Sequence, residues 1–84
     1  MITKGKYRVG VSFNPSKSNI VDDIKTAAAD LIDLIEGIDL LVPCDAGSTR
    51  QGEVARLKSL AQTAIEEGAM WAVKAATKPD PHQK

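Results

Sequence analysis

The sequence predicts an all-α fold: a two-helix antiparallel hairpin with an extended N-terminal arm, completed as a symmetric homo-oligomer. Three observations carry that expectation. Apolar residues recur at helical spacing in two stretches, 18–37 and 49–77, separated by a run of turn formers. At 84 residues the chain is short, and a domain of that size leaves roughly 35 to 40% of its unfolded-chain surface exposed, so it usually draws on disulfides, metal or self-association. A single cysteine, Cys44, excludes an intramolecular disulfide, and no Cys/His cluster offers a zinc site. Self-association is what remains. The composition agrees: 43% of residues are hydrophobic, yet Tyr7, Phe13 and Trp71 are the only aromatics, so the apolar mass is Ala, Leu, Ile and Val and the core is thin.

The whole chain, 1–84, reads as one domain. In residues 1–17 the alternation of Tyr7, Val9, Val11 and Phe13 would place them on one face of a strand, but a lone strand has no ladder partner. An extended arm packed on the helices or on another subunit is therefore expected. Asn14, Pro15, Ser16, Ser18 and Asn19 supply turn and capping groups. Helix 1, 18–37, carries one apolar row of Ile20, Ile24, Ala27, Leu31, Leu34 or Ile35, and Ile38, and beside it a second row of Val21, Ala28, Ile32 and Ile35. That stripe is too wide for one partner helix and implies contact with another chain as well. Asp22 and Asp23 suit the positive end of the helix dipole, and Gly37 suits its stop. A connector, 38–48, holds Pro43, Asp45 and Gly47. Ser48 or Thr49 can cap helix 2, 49–77, which Pro79 and Pro81 prevent from continuing. Within it Val54, Leu57, Ala61, Ala64, Gly68, Trp71 and Ala75 form a heptad seam. At about 1.5 Å per residue helix 2 would be roughly 40 Å long against about 28 Å for helix 1, and the excess needs a partner outside the monomer. The tail, 78–84, is polar.

Formal charge is zero, which argues against duplex nucleic acid held by counterion release. Its distribution is uneven. Lys4, Lys6, Arg8 and Lys17 precede any acid, whereas Asp22, Asp23, Asp30, Asp33, Glu36, Asp39 and Asp45 face Lys25 alone in the next stretch. A basic arm lying against an acidic face, its own or a neighbour's, accounts for that pattern on charge alone. The uncharged runs fall far short of the ~18 apolar residues of a membrane span, and the start lacks the apolar core of a signal peptide. A cytoplasmic location with no membrane partner is expected.

The side chains do not assemble a catalytic set. His82 stands in a Pro-flanked tail, and Cys44 has no histidine near in sequence. The adjacent carboxylates Asp22-Asp23 and Glu66-Glu67 diverge by about 100 degrees on a helix, as capping or solvated groups do rather than an acid/base dyad. No HExxH, P-loop or GxGxxG is present. A non-enzymatic binding protein without a cofactor or metal is expected. Tyr7 and Phe13 beside basic groups suit base stacking and phosphate contact. They suit equally an arm anchored in a neighbour's groove.

The run Arg56-Leu57-Lys58-Ser59-Leu60-Ala61-Gln62-Thr63-Ala64-Ile65-Glu66-Glu67-Gly68-Ala69-Met70-Trp71-Ala72-Val73-Lys74-Ala75 resembles the second-helix signature of small phage proteins that counter CBASS. CBASS is a bacterial defence in which a synthase makes cyclic oligonucleotides that trigger a killing effector. The resemblance is to the second described anti-CBASS type, whose hairpin also occurs in a phage sponge of Thoeris signals. Phe13-Asn14-Pro15-Ser16 and Asp22-Asp23-Ile24-Lys25 are similar to the start of that family's first helix, and the matches together touch about half of the chain. The resemblance implies homohexamers of helical hairpins that sequester cyclic dinucleotides, such as cyclic GMP-AMP, between paired subunits and cyclic trinucleotides at three-fold pockets, cutting neither, in the host bacterial cytoplasm. It implies a cyclic dinucleotide site of Tyr7, Arg8, Phe13, Asn14 and Lys25. There Lys25 matches the phosphate-contacting lysine, and Phe13 and Tyr7 compete for the base-stacking position. It implies a cyclic trinucleotide site of Arg56, Lys58 and Thr63, with Arg56 matching the arginine that opens the signature. This chain departs from the pattern at Leu57, where an acid is common, and in a longer connector from Asp39 to Gly47. Two other readings compete with the sponge: an oligomeric helical hairpin that docks a partner protein through its arm, and a small nucleic-acid-binding accessory protein.

Overall fold

The computed structural model describes residues 2–11, 14, 18–38 and 49–81. Among them three helices form and no strand does: α1 (Lys4–Val9), α2 (Asn19–Glu36) and α3 (Thr49–Ala76). Phe13, Cys44 and His82, and most of the connector 38–48, lie outside the described residues.

The first helix corrects the extended arm expected over residues 1–17. Thr3, in an extended conformation, accepts a hydrogen bond on Oγ1 from the Lys6 N–H at 3.1 Å and so caps the N-terminus. Gly10 ends the helix at φ 70°, in the left-handed region, and its N–H donates to the Lys6 carbonyl at 3.0 Å. Lys6 and Arg8 fill the last turn, where the dipole favours cations. A six-residue helix is marginal on its own. It holds here because it docks: the Gly5 N–H donates to Asp33 Oδ1 at 2.7 Å, with the α1 backbone pressed against that of α2 at Ala29. The strand-like alternation from Tyr7 to Val11 is thus interrupted at Gly10.

α2 and α3 run antiparallel. The C-terminal end of α2 lies beside the first half of α3, where Lys58 Nζ donates to the Glu36 carbonyl at 3.1 Å and Gln62 Nε2 to the Ile32 carbonyl at 3.1 Å. Further back along α2, Lys25 lines one cleft together with Ala69 and Val73 of the C-terminal half of α3. Of the two apolar rows of α2, the second carries the packing only in part: Val21 and Ile32 are buried, Ala28 and Ile35 half-buried, and Ala29, which stands in neither row, is buried with Lys25 beside them. Ile20, Leu31 and Leu34 of the first row remain exposed.

The inward face of α3 differs from the heptad seam read in its sequence. Gln62 and Ala69 are buried, with Val54, Lys58, Ala61, Ile65, Ala72 and Val73 half-buried beside them. Leu57, Ala64, Gly68, Trp71 and Ala75 are exposed. The reason is chemical: the inward face is rich in polar groups that bond to the other helices, so apolar periodicity selects the outward row instead. Gln62 is the centre of this polar packing. Its Oε1 accepts from Lys4 Nζ at 3.0 Å, and its Nε2 also donates to Glu36 Oε1 at 3.1 Å, joining α1, α2 and α3 through one wholly buried side chain. The fold measures 57 × 27 × 14 Å. A slab that thin cannot enclose a conventional core, and the buried apolar residues among those described are Val21, Ala29, Ile32 and Ala69.

Candidate functional site

Where α1 ends over α2 and the C-terminal half of α3, the helices leave a cleft of 460 Å³. Val9, Ala69, Met70 and Val73 give it apolar walls, and Arg8, Lys25 and Lys74 give it three cations. Each cation comes from a different helix. Arg8 is positioned by the short α1, and its Nη2 donates to Glu66 Oε2 at 2.6 Å and to Thr63 Oγ1 at 3.3 Å. Lys25 is 8% exposed, and its Nζ donates to the Gly10 carbonyl at 3.2 Å, closing the last turn of α1 from below. Lys74 lies over the Trp71 ring, 5.5 Å from its centroid. Glu66 is the one acid among the described residues lining the cleft.

The structure therefore brings together Arg8 and Lys25 of the dinucleotide set expected from sequence. Tyr7 projects outward at 75% exposure and does not line the cleft. Asn14 instead holds the start of α2, its Nδ2 donating to the Ser18 carbonyl at 2.9 Å and to Asp22 Oδ1 at 2.8 Å. Phe13 is outside the described residues. Sequence reading passed over Lys74 and Met70 and treated Glu66 as a capping or solvated group. A signal was present, because Glu66, Ala69, Met70, Val73, Lys74 and Thr77 follow i, i+3, i+4 spacing along one face of α3.

On the outer face of α3 a second, shallower groove of 410 Å³ is lined by Arg56, Ser59, Leu60, Thr63, Ala64 and Glu67. Arg56 and Thr63 meet there. Arg56 is held by Glu53 through Nε and Nη2 within the same helix, which pushes its already high pKa up. Lys58 does not join them, because it turns inward to the C-terminal carbonyl of α2. A groove formed on a single helix has one wall, and a neighbouring subunit would be needed to close it.

The family described as Acb2/Tad1, hairpin domain, matches residues 4–77. The chain belongs to this family. The matched span opens at the first residue of α1, so the short helix is part of the Acb2/Tad1 hairpin domain rather than an appendage, and it carries Arg8 into the cleft. No curated protein and no solved structure matches the chain. No helix among the described residues is long and apolar enough to cross a membrane.

Proposed function

We propose that this Acb2/Tad1 hairpin protein sequesters cyclic oligonucleotide messengers without degrading them and so blocks CBASS-type immunity against phage. The observation that carries the reading is the convergence of Arg8, Lys25 and Lys74 on one apolar cleft in a protein of zero net charge. Basic groups around an apolar surface suit a ligand with flat bases and ring phosphates, since apolar walls favour the bases and cations favour the phosphates. The second groove, with Arg56 and Thr63, is the proposed cyclic trinucleotide site, completed at a three-fold axis.

The same reading calls for a homo-oligomer, with a hexamer as the expected form. Exposed Leu57, Leu60 and Trp71 on α3, and Ile20, Leu31 and Leu34 on α2, are apolar surface suited to contact between copies. Pairing two subunits would set one Lys25 against each phosphate of a cyclic dinucleotide. A second reading uses that apolar surface to dock a partner protein, with no nucleotide ligand.

Calorimetry with a panel of cyclic di- and trinucleotides separates the two. A sponge gives saturable heat with at least one cyclic oligonucleotide, and mass spectrometry recovers the ligand unchanged. Lys25→Met, which keeps the buried stem and removes the charge, then weakens cyclic dinucleotide binding. Absence of heat across the whole panel, with a partner protein still bound, would establish the docking module instead.

A further inference from the structure

Resting on the dinucleotide reading of the Arg8–Lys25 cleft, we infer that Glu66 is a specificity-determining residue: an internal counter-anion on Arg8 that an incoming phosphate must displace. Glu66 sits in the cleft among three cations, and its carboxylate takes the shortest of the contacts Arg8 makes, 2.6 Å to Nη2. The same Nη2 also donates to Thr63 Oγ1 at 3.3 Å. A guanidinium grips a phosphate in two parallel bonds either end-on, through Nη1 and Nη2, or side-on, through Nε and Nη2. Both modes use Nη2. Arg8 therefore meets a bidentate ligand with its Nη2 already engaged by α3, and a phosphate arriving beside Glu66 meets a like charge at close range.

The consequence is selectivity. A neutral nucleoside brings nothing to replace the carboxylate and leaves the Arg8–Glu66 pair closed. A ligand with ring phosphates compensates the loss by supplying a new anion to the same guanidinium. The pair also ties α1 to α3, so the anion exchange transfers that tie from the protein to the ligand. Both partners are half-buried, with side chains 24% and 31% exposed, where an ion pair is less screened than on an open surface.

Glu66→Gln tests this directly, because the amide keeps an acceptor for Arg8 and removes the competing charge. Calorimetry should show cyclic dinucleotide affinity raised by about fivefold or more, the size of a partly exposed charge interaction. Asp30→Asn, an exposed change of equal charge on α2, should leave affinity where it was. Thermal melts establish that α1 stays docked in Glu66→Gln. On the wild-type protein, nitrogen-15 NMR of the Arg8 guanidinium should show the coupling to Glu66 in the ligand-free state and its loss on adding cyclic dinucleotide, a readout that needs no variant. Unchanged or weaker binding by Glu66→Gln, or an Arg8–Glu66 pair that persists in the complex, overturns the inference while the sponge reading stands. If the wild-type protein binds no cyclic dinucleotide, the reading of the cleft itself has failed.

Discussion

Gly5 lies so close to Ala29 that a Cβ built on it would stand 2.1 Å from the Ala29 carbonyl oxygen. Such a contact is far inside van der Waals range and involves backbone on both sides, so no side-chain rotation relieves it. The short α1 docks on α2 through this approach, and α1 carries Arg8 to the cleft.

Gly5→Ala should therefore undock α1 at a cost of about 1 to 3 kcal/mol or more. The Gly5 N–H to Asp33 bond would go with it, as would the bonds of Lys4 to Gln62 and Glu36. Thermal melting followed by circular dichroism should show the loss. Cyclic dinucleotide affinity should fall with it, since Arg8 leaves its place. An unaltered melt would mean that α1 contributes nothing to the stability of the hairpin.

Acid should weaken the same junction. The Gln62 amide, and after it Lys4, hold the Glu36 carboxyl below its ordinary pKa of 4.5. A depressed carboxylate stabilises the fold at pH above its unfolded value, and that contribution disappears as pH falls through the lower folded value. Melting temperature should thus decline through the acid range below 4.5, and Glu36→Gln should make that decline shallower. Equal acid slopes in the variant and the wild type would remove Glu36 as a cause.

These junctions explain which parts of the fold are legible in sequence. The two long helices are, because their apolar residues recur at three- and four-residue steps over several turns. α1 is not: six residues are too few to display a helical period, and Tyr7, Val9 and Val11 imitate a strand. Its helix depends on Thr3, Gly10 and the Gly5–Ala29 approach, of which the last exists only in three dimensions. Nor does anything local mark Gln62 as buried. Because Lys58, Gln62 and Glu66 bond inward, the apolar count on α3 favours the opposite face, and the seam of Leu57, Gly68 and Trp71 is real as a pattern while lying outside the hairpin. In the site, Arg8 and Lys25 come from the family resemblance; Glu66 and Lys74 share one face of α3 in the sequence, but that this face meets Arg8 is legible only once α1 is placed against α3.

Gly68→Leu tests the proposed assembly separately from the hairpin. A Cβ at Gly68 meets nothing within 4 Å in the isolated chain, so the substitution should keep the helices and their melting behaviour at the monomer level. In a close-packed interface between copies the same side chain overpacks, at about 1 to 3 kcal/mol per subunit. Light scattering should fall from an oligomeric mass to the 9.0 kDa of one chain. A wild-type protein already at 9.0 kDa would end the homo-oligomer proposal, and an oligomer that persists in the variant would move its interface away from Gly68.

Arg56 tests the second groove, and its expected behaviour depends on symmetry more than on any one contact. In a single chain it is an exposed arginine paired with Glu53 three residues earlier, an arrangement worth little to the fold. It nonetheless opens onto the groove shared with Leu60, Thr63 and Glu67. Around the proposed three-fold axis three such guanidinium groups would converge, and like charges at close range repel unless anions fill the space between them. A cyclic trinucleotide brings three phosphates in matching symmetry, and a cyclic dinucleotide does not. Arg56→Ala should therefore abolish cyclic trinucleotide binding, spare dinucleotide binding at the Arg8–Lys25 cleft, and leave the ligand-free assembly as stable as before or slightly more so. Calorimetry with both ligand classes, alongside light scattering, reads all three effects. Equal loss of both ligands from an intact oligomer would show that the two grooves are not independent sites.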